Sequence, residues 1–262
     1  MKKEVAFLVL TCDNYSDLWP TFIHFFEKNW PDCPYDKYFI SNNLSLSNTE
    51  FEFINIGNDE SWSDGLLKGI DVLKNRYEYL LITLEDWPIV EKVDQQKLDI
   101  IISSFFSIDG NYLTFRNKPK PTHTFNKLFG KIERGSLYRP SCVYSLWKID
   151  VIEDLLIREE NAWEFERYGS IRSDKYDNFF VVYNDFFKII NTVIKGRWVR
   201  SEYKKVVKLG FNPDIEKRIL FTRKQEVVLK LNEFIFNIFN RIVPIPWKIR
   251  RKLVFKLKGY KY

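Results

Sequence analysis

Residues 79–88 read Tyr-Leu-Leu-Ile-Thr-Leu-Glu-Asp-Trp-Pro. The first six, Tyr79–Leu84, form an almost unbroken apolar run with the length of a strand covered on both faces. The run stops at two adjacent carboxylates, Glu85 and Asp86, followed by Trp87-Pro88. A second run repeats the pattern: Val5–Leu10 (VAFLVL) is continuously apolar and stops at Thr11-Cys12-Asp13-Asn14. In open α/β sheets, ligands bind just beyond the carboxyl ends of the strands. Both polar turns, 11–14 and 85–88, are expected at that edge, which directs attention to Asp13, Glu85 and Asp86.

Outward from these strands, helices and strands alternate. Asp17–Trp30 has Leu18, Phe22, Phe25 and Phe26 at helical spacing and is ended by Pro31 and Pro34. Short strands follow over 37–41 and 51–56. Ser61 or Ser63 can cap a helix to about Lys74, with Leu66, Leu67, Ile70 and Leu73 inward. Gln95–Phe106 reads as a helix, Tyr112–Phe115 as a strand, Leu137–Ser145 as extended and Lys148–Arg158 as a helix. The alternation predicts an α/β, Rossmann-like fold, with a mostly parallel sheet flanked by helices. Neither GxGxxG nor GxxxxGK[ST] occurs, so the usual dinucleotide and P-loop cradles are absent.

Length and composition bound the rest. A chain of 262 residues, 45% hydrophobic, makes one or two domains with a real core. Aromatic residues are 17% of the chain, a richness that suits either an aromatic core or a pocket stacking on flat ligands or sugars. Cys12, Cys33 and Cys142 are odd in number and form no CxxC pair, which fits a reducing compartment. His24 and His123 lie far apart, which argues against a Cys/His zinc site. No apolar run reaches the roughly 18 residues of a membrane-crossing helix.

The net charge of +6 is unevenly placed. Residues 213–262 hold 13 Lys/Arg against 4 Asp/Glu, and the rest holds 28 against 31. This divides the chain into a near-neutral body, 1–212, and a basic tail, 213–262. Within the tail, Val227, Leu231, Phe234, Ile238 and Ile242 follow helical spacing, and Trp247–Lys258 mixes bulky apolar with basic residues. The tail reads as a basic amphipathic helical anchor lying on an anionic membrane surface. A helix packed on the body, or an oligomer contact, is the alternative. No nucleic-acid-binding motif accompanies the charge, so nucleic acid is not an expected partner.

Four groups of residues carry chemistry. Glu85-Asp86 can hold a hard divalent cation that neutralises a diphosphate, or form a solvated acidic turn. Asp13-Asn14 can bond a nucleoside or cap the following helix. Trp163-Glu164-Phe165-Glu166 alternates; as a strand it would put both glutamates on one face, where a carboxylate beside an apolar wall suits a general base. An edge strand of no catalytic use is the other reading. Lys195-Gly196-Arg197-Trp198 can approach phosphate oxygens or be a basic surface turn.

The segments VAFLVLTCDNYSDLW, WSDGLLKGI, YLLITLEDWPI, AWEFERYGSIRSD and VIKGRW together resemble bacterial GT-A-type glycosyltransferases of capsule, O-antigen and related surface-polysaccharide synthesis. The resemblance spans about residues 4–200. It implies a nucleotide-sugar donor at the carboxyl edge of a GT-A-like sheet and a divalent cation, Mn²⁺ or Mg²⁺, at an Asp-X-Asp-like motif. Here that motif reads Leu84-Glu85-Asp86. Either both acids hold the cation, or one does and the other binds ribose or sugar hydroxyls. By position, Thr11, Asp13 and Trp62 would line the nucleotide pocket, and Lys195 and Arg197 would face the leaving diphosphate. Glu164 or Glu166 would be the base of an inverting transfer to a glycan or lipid-linked glycan. A lipid-linked acceptor would put the enzyme on the cytoplasmic face of the plasma membrane. The competing functions are a non-catalytic carbohydrate- or membrane-binding protein of a polysaccharide assembly, and a sugar-phosphate nucleotidyltransferase. The oligomeric state is left open.

Overall fold

The computed structural model describes residues 3–229 and 231, and the α/β architecture is as expected. Along the chain come β1 (Lys3–Leu10), a 3-10 turn (Asp13–Tyr15), α1 (Trp19–Asn29), β2 (Asp36–Ser41), β3 (Glu52–Asn55), α2 (Trp62–Leu73), β4 (Tyr77–Leu84) and α3 (Gln95–Phe106). There follow β5 (Tyr112–Thr114), β6 (His123–Thr124), β7 (Phe129–Lys131), β8 (Ser145–Lys148), α4 (Ile149–Leu155), α5 (Ala162–Arg172) and β9 (Phe179–Val182). Last come the hairpin β10 (Val193–Ile194) and β11 (Arg197–Trp198), and then α6 (Arg200–Lys208).

Nine strands form one sheet in the order β3-β2-β1-β4-β8-β5-β9-β7-β6. Only β8 and β7 run against the rest, so the sheet is mostly parallel. The apolar runs of β1 and β4 occupy its middle because both of their faces are covered. On one face Phe7, Val9, Tyr79 and Leu81 pack with Phe22 and Phe26 of α1 and Ile101 and Phe105 of α3. On the other, Ala6, Leu8, Leu80 and Ile82 pack with Leu66 and Ile70 of α2, Ile152 of α4 and Phe165 of α5. Adjacent residues of a strand point to opposite faces, so a strand buried twice must be apolar at every position.

The aromatic richness is largely spent on this core. Phe7 meets Phe26 at 4.9 Å and Trp30 edge-on at 5.7 Å, and Phe39 stacks on Phe53 at 5.1 Å. A smaller cluster of Leu18, Phe25, Val193, Trp198 and Val206 fixes the β10–β11 hairpin and α6 to the outer side of α1.

Register builds the carboxyl edge. Leu10 pairs with Leu84 on one side and with Ile40 on the other. Thr11, Glu85 and the turn after β2 are thereby brought level with one another. Beside them lies the carboxyl end of β5, where Phe115 N–H donates to the Tyr144 carbonyl at 2.9 Å.

Two expectations are corrected. Trp163–Glu166 is not a strand; it opens α5. The Asn161 side chain accepts the Glu164 N–H and the Glu164 carboxylate accepts the Asn161 N–H, a capping box that starts a helix and overrides a four-residue alternation. Residues 137–144 are irregular, with Tyr138 and Tyr144 at φ 50° and 48°, and only Ser145 enters a strand. Ahead of the expected tail helix, Trp198 N–H donates to Ile219 O and Phe221 N–H to Trp198 O, so residues 219–221 run alongside β11. A helix occupies 223–229. The rest of the expected anchor, 232–262, lies outside the described residues.

Candidate active site

Glu85 leaves β4 with 7% of its surface exposed. The Thr11 hydroxyl, which accepts the Trp19 indole N–H at 2.9 Å, favours its ionised form. Asp86 follows. Its carbonyl accepts both the N–H and the hydroxyl of Thr192, each at 2.9 Å, which ties the acidic turn to the segment before β10. Its Oδ1 is buried and has no hydrogen-bond partner among the described residues. Burial and the neighbouring Asp86 charge push the Glu85 carboxyl well above the usual range. Burial pushes the Asp86 carboxyl up as well.

A cation faces this pair, and it comes from outside the expected set. Arg218 is only 7% exposed. Its guanidinium holds both oxygens of Asp17, at 2.9 and 3.0 Å, and donates to the carbonyls of Asn14 at 2.9 Å and Gly196 at 3.2 Å. It lies over the Tyr15 ring at 4.3 Å. Arg218 thus clamps the turn after β1 to the hairpin turn. Asp17 takes the guanidinium fork, so Glu85 and Asp86 feel Arg218 only through space. The pair is left short of positive charge.

A second raised carboxylate is carried by α5. The Arg116 charge, the Ser141 side chain and the Cys142 backbone all favour the ionised form of Glu166. Burial raises it to about 7, against the opposing pull of Arg116. Arg116 follows the carboxyl end of β5 and stacks on Trp87, with its guanidinium 4.4 Å from the ring centre. Trp87 follows Asp86 directly, and its carbonyl accepts the Tyr144 hydroxyl at 2.8 Å. Through Trp87 and Arg116 the acidic turn and Glu166 share one edge of the sheet. Glu164, two residues earlier on the helix, points its carboxylate back into the capping box.

The other expected residues are placed as follows. Asp13 uses both carboxylate oxygens on the N–H groups of Asn42, Asn43 and Leu44, at 3.1–3.2 Å, and so fixes the loop after β2. Trp62 is the first residue of α2, and its ring lies 5.6 Å from that of Phe165, the neighbour of Glu166. Its indole N–H is buried without a partner among the described residues. Lys195 and Gly196, at φ 50° and 72°, form the two-residue turn between paired Ile194 and Arg197, the geometry a tight hairpin requires. Lys195 is exposed there, and the Arg197 guanidinium donates to Gln225 at 3.5 Å.

Arg116 was legible by the rule that singled out Glu85, since it follows a predicted strand. Arg218 was not, because in sequence it is one basic residue among the 13 of the tail.

Among the described residues no three Asp, Glu, His or Cys side chains gather as a metal-binding group. Glu85 and Asp86 nevertheless suit a hard cation. They are oxygen donors, one oxygen is orphaned, and Mg²⁺-type ions are commonly bound by one or two carboxylates plus water and substrate phosphates.

No protein-family model matches the chain, and no curated protein matches its sequence. Solved structures resemble it in fold. One is S. aureus TarS 1–349 in complex with UDP-GlcNAc, at 11% identity and a TM-score of 0.53, covering 82% of this chain and 68% of that one. Another TarS structure gives 10% identity and a TM-score of 0.48; the chain spans only 41% of its length and is covered to 82%. UDP-glucose pyrophosphorylase from Acinetobacter baumannii gives 10% identity and a TM-score of 0.49, covering 90% of this chain and 100% of that one.

Proposed function

We propose that this chain is a nucleotide-sugar-dependent glycosyltransferase that acts by inversion, with Glu166 as the base. One observation carries the reading. A raised carboxylate, Glu166, and an acidic pair, buried Glu85 and half-buried Asp86, stand on one sheet edge, joined by Trp87 and Arg116. Inverting transfer needs those two stations: one carboxylate to take the acceptor hydroxyl proton, and a separate place where diphosphate charge is neutralised. The fold shared with a TarS fragment solved with UDP-GlcNAc supports a uridine nucleotide-sugar as the first donor to try.

In this reading Glu85 and Asp86 hold Mn²⁺ or Mg²⁺, which when bound supplies Lewis-acid neutralisation of the departing diphosphate. Thr11 orients Glu85, and Trp62 walls the pocket beside α5. Glu166 receives the acceptor proton, and Arg116 keeps that carboxylate ionised often enough to act. The acceptor is a glycan, or a glycan on a lipid carrier within surface-polysaccharide synthesis, handled at the cytoplasmic membrane face. The basic tail favours the lipid-linked form.

The test is a thermal-shift panel of UDP, GDP, CDP and their sugar conjugates, each with Mn²⁺, Mg²⁺ or EDTA. A ligand bound at 100 times its Kd stabilises the fold by about 2.7 kcal/mol. A metal-dependent shift with one nucleotide, followed by sugar release or transfer that Glu166→Gln abolishes, is the expected result. Pyrophosphate formation from a nucleoside triphosphate and a sugar phosphate would replace the proposal with a nucleotidyltransferase. Absence of any nucleotide shift would leave a binding protein.

A further inference from the structure

Thirteen large apolar side chains stand exposed among the described residues, and seven of them fall between Val207 and Leu231. Ile219 is 59% exposed and Val227 65%. The segment is one structural unit. Arg200 Nε donates to the Phe221 carbonyl at 3.1 Å, Ser201 N–H to Glu226 at 3.3 Å, and the Tyr203 hydroxyl to Asn212 at 3.3 Å. Helix α6 turns Tyr203 and Val206 inward to the outer cluster. Lys204, Val207 and Lys208, at i, i+3 and i+4, share the opposite, exposed face.

Charge changes sign at the same place. Residues 1–199 carry 24 Lys/Arg against 30 Asp/Glu, whereas 200–231 carry nine against four. Lys205 pairs with Glu202, but Lys204, Lys208, Arg223 and Lys224 are exposed and make no ion pair among the described residues. Apolar side chains set among unpaired cations match the boundary of an anionic bilayer, where the former enter the acyl region and the latter meet the headgroups.

We infer that α6 and residues 207–231 form a membrane-docking face of the folded body, for a leaflet bearing anionic lipid. The inference rests partly on the glycosyltransferase reading, because it gives that face a purpose. Arg218 and Ile219 are neighbours in sequence: one is buried in the clamp beside Glu85 and Asp86, the other points out. The docked surface and the reacting edge are thereby held together by a single residue step, which suits an acceptor delivered from the bilayer. The expected anchor in 232–262, with eight Lys/Arg and one Asp/Glu, continues the same composition.

The test uses the full chain and vesicles of phosphatidylcholine with or without phosphatidylglycerol. Each basic residue near an anionic leaflet is worth about a fivefold change in partition. Binding should require phosphatidylglycerol and weaken with salt. Lys204→Gln/Lys208→Gln should lower it by roughly 25-fold, and Val207→Ser/Ile219→Ser should lower it further at high salt. Nucleotide-dependent thermal shifts, measured in parallel, should be the same in the parent and both variants. This readout separates failure of docking from failure of the donor reading and shows that the variants fold. Undiminished vesicle binding by both variants would overturn the inference, since the face would then be covered by 232–262 or idle. So would a parent that ignores vesicles, or one whose self-association Ile219→Ser abolishes, which would make the face a contact between copies.

Discussion

At the scale of single residues, the informative groups are buried charges and what each one faces. Glu166 sits at about 7 because burial disfavours its charged form, while Arg116 pulls the other way. A base works only when ionised, so the rate of transfer should rise with pH up to about 7 and level off above. Arg116→Met removes the cation, and its rising limb should move to higher pH. A limb that stays in place would separate Arg116 from the base. Glu166→Gln should lower kcat by about 10²–10⁴-fold with donor affinity retained. It also has a signature without substrate. A carboxyl raised in the folded state binds its proton more tightly there than in the unfolded chain, so its contribution to stability is lost as pH rises through about 7. Above that pH, Glu166→Gln should melt later than the parent, as followed by calorimetry across pH.

Arg218 is the opposite case, a buried cation whose partner is already in place. Asp17 and Arg218 are both nearly inaccessible and are joined by two hydrogen bonds. Asp17→Ala would leave the guanidinium buried and uncompensated, a loss of about 3–5 kcal/mol. Denaturant unfolding should show it, and nucleotide binding should weaken because Asn14 and Gly196 lose their common donor. Asp17→Asn keeps one acceptor and should fall between. A fully stable Asp17→Ala variant would mean that the clamp contributes nothing.

Elements show where sequence reading succeeds and where it stops. The two central strands were legible because a strand buried on both faces has no freedom to be polar: Ala6, Phe7, Leu8 and Val9 are all inaccessible, and so are Leu80, Leu81 and Ile82. Helix α3 coincides with its predicted span because Leu98, Ile101, Ile102 and Phe105 repeat at helical spacing. Helix α5 was missed. Its burial is sparse, with only Phe165, Gly169 and Ser170 covered, so the apolar period is weak. The decisive signal was polar and local, Asn161 and Glu164 three apart. The error matters for chemistry. A strand would put Glu164 and Glu166 on one face, whereas a helix turns them about 200° apart and leaves one in the cap and the other feeling the charge of Arg116. Glu164→Gln retains a box-competent side chain and should leave both melting temperature and turnover nearly unchanged. Asn161→Ala should cost about 1 kcal/mol. If Glu164→Gln instead abolishes turnover, the base has been assigned to the wrong turn of α5.

On the scale of the molecule, the site is an assembly of distant segments. Thr11 and Asp17 come from the first turn, Glu85-Asp86 from the turn after β4, Arg116 from just past β5, Glu166 from α5 and Arg218 from beyond α6. The sequence made the sheet edge visible, because the rule that ligands lie past carboxyl ends needs only strand positions. It could not make Arg218 visible, because contacts across about 200 residues leave no local pattern. This arrangement has a measurable consequence. If the acidic pair, the first turn and the clamp form one nucleotide pocket, a ligand there should suppress opening of all three at once. Hydrogen exchange with the nucleotide that gives the largest thermal shift, plus Mn²⁺, should protect 11–17, 85–88 and 190–221 together. The strands β6 and β7, at the far edge of the sheet, should exchange as before. Protection confined to 85–88 would sever Arg218 from the pocket and leave it a structural clamp. Protection of the first turn and the clamp with EDTA present would instead move diphosphate recognition from Glu85-Asp86 to Arg218.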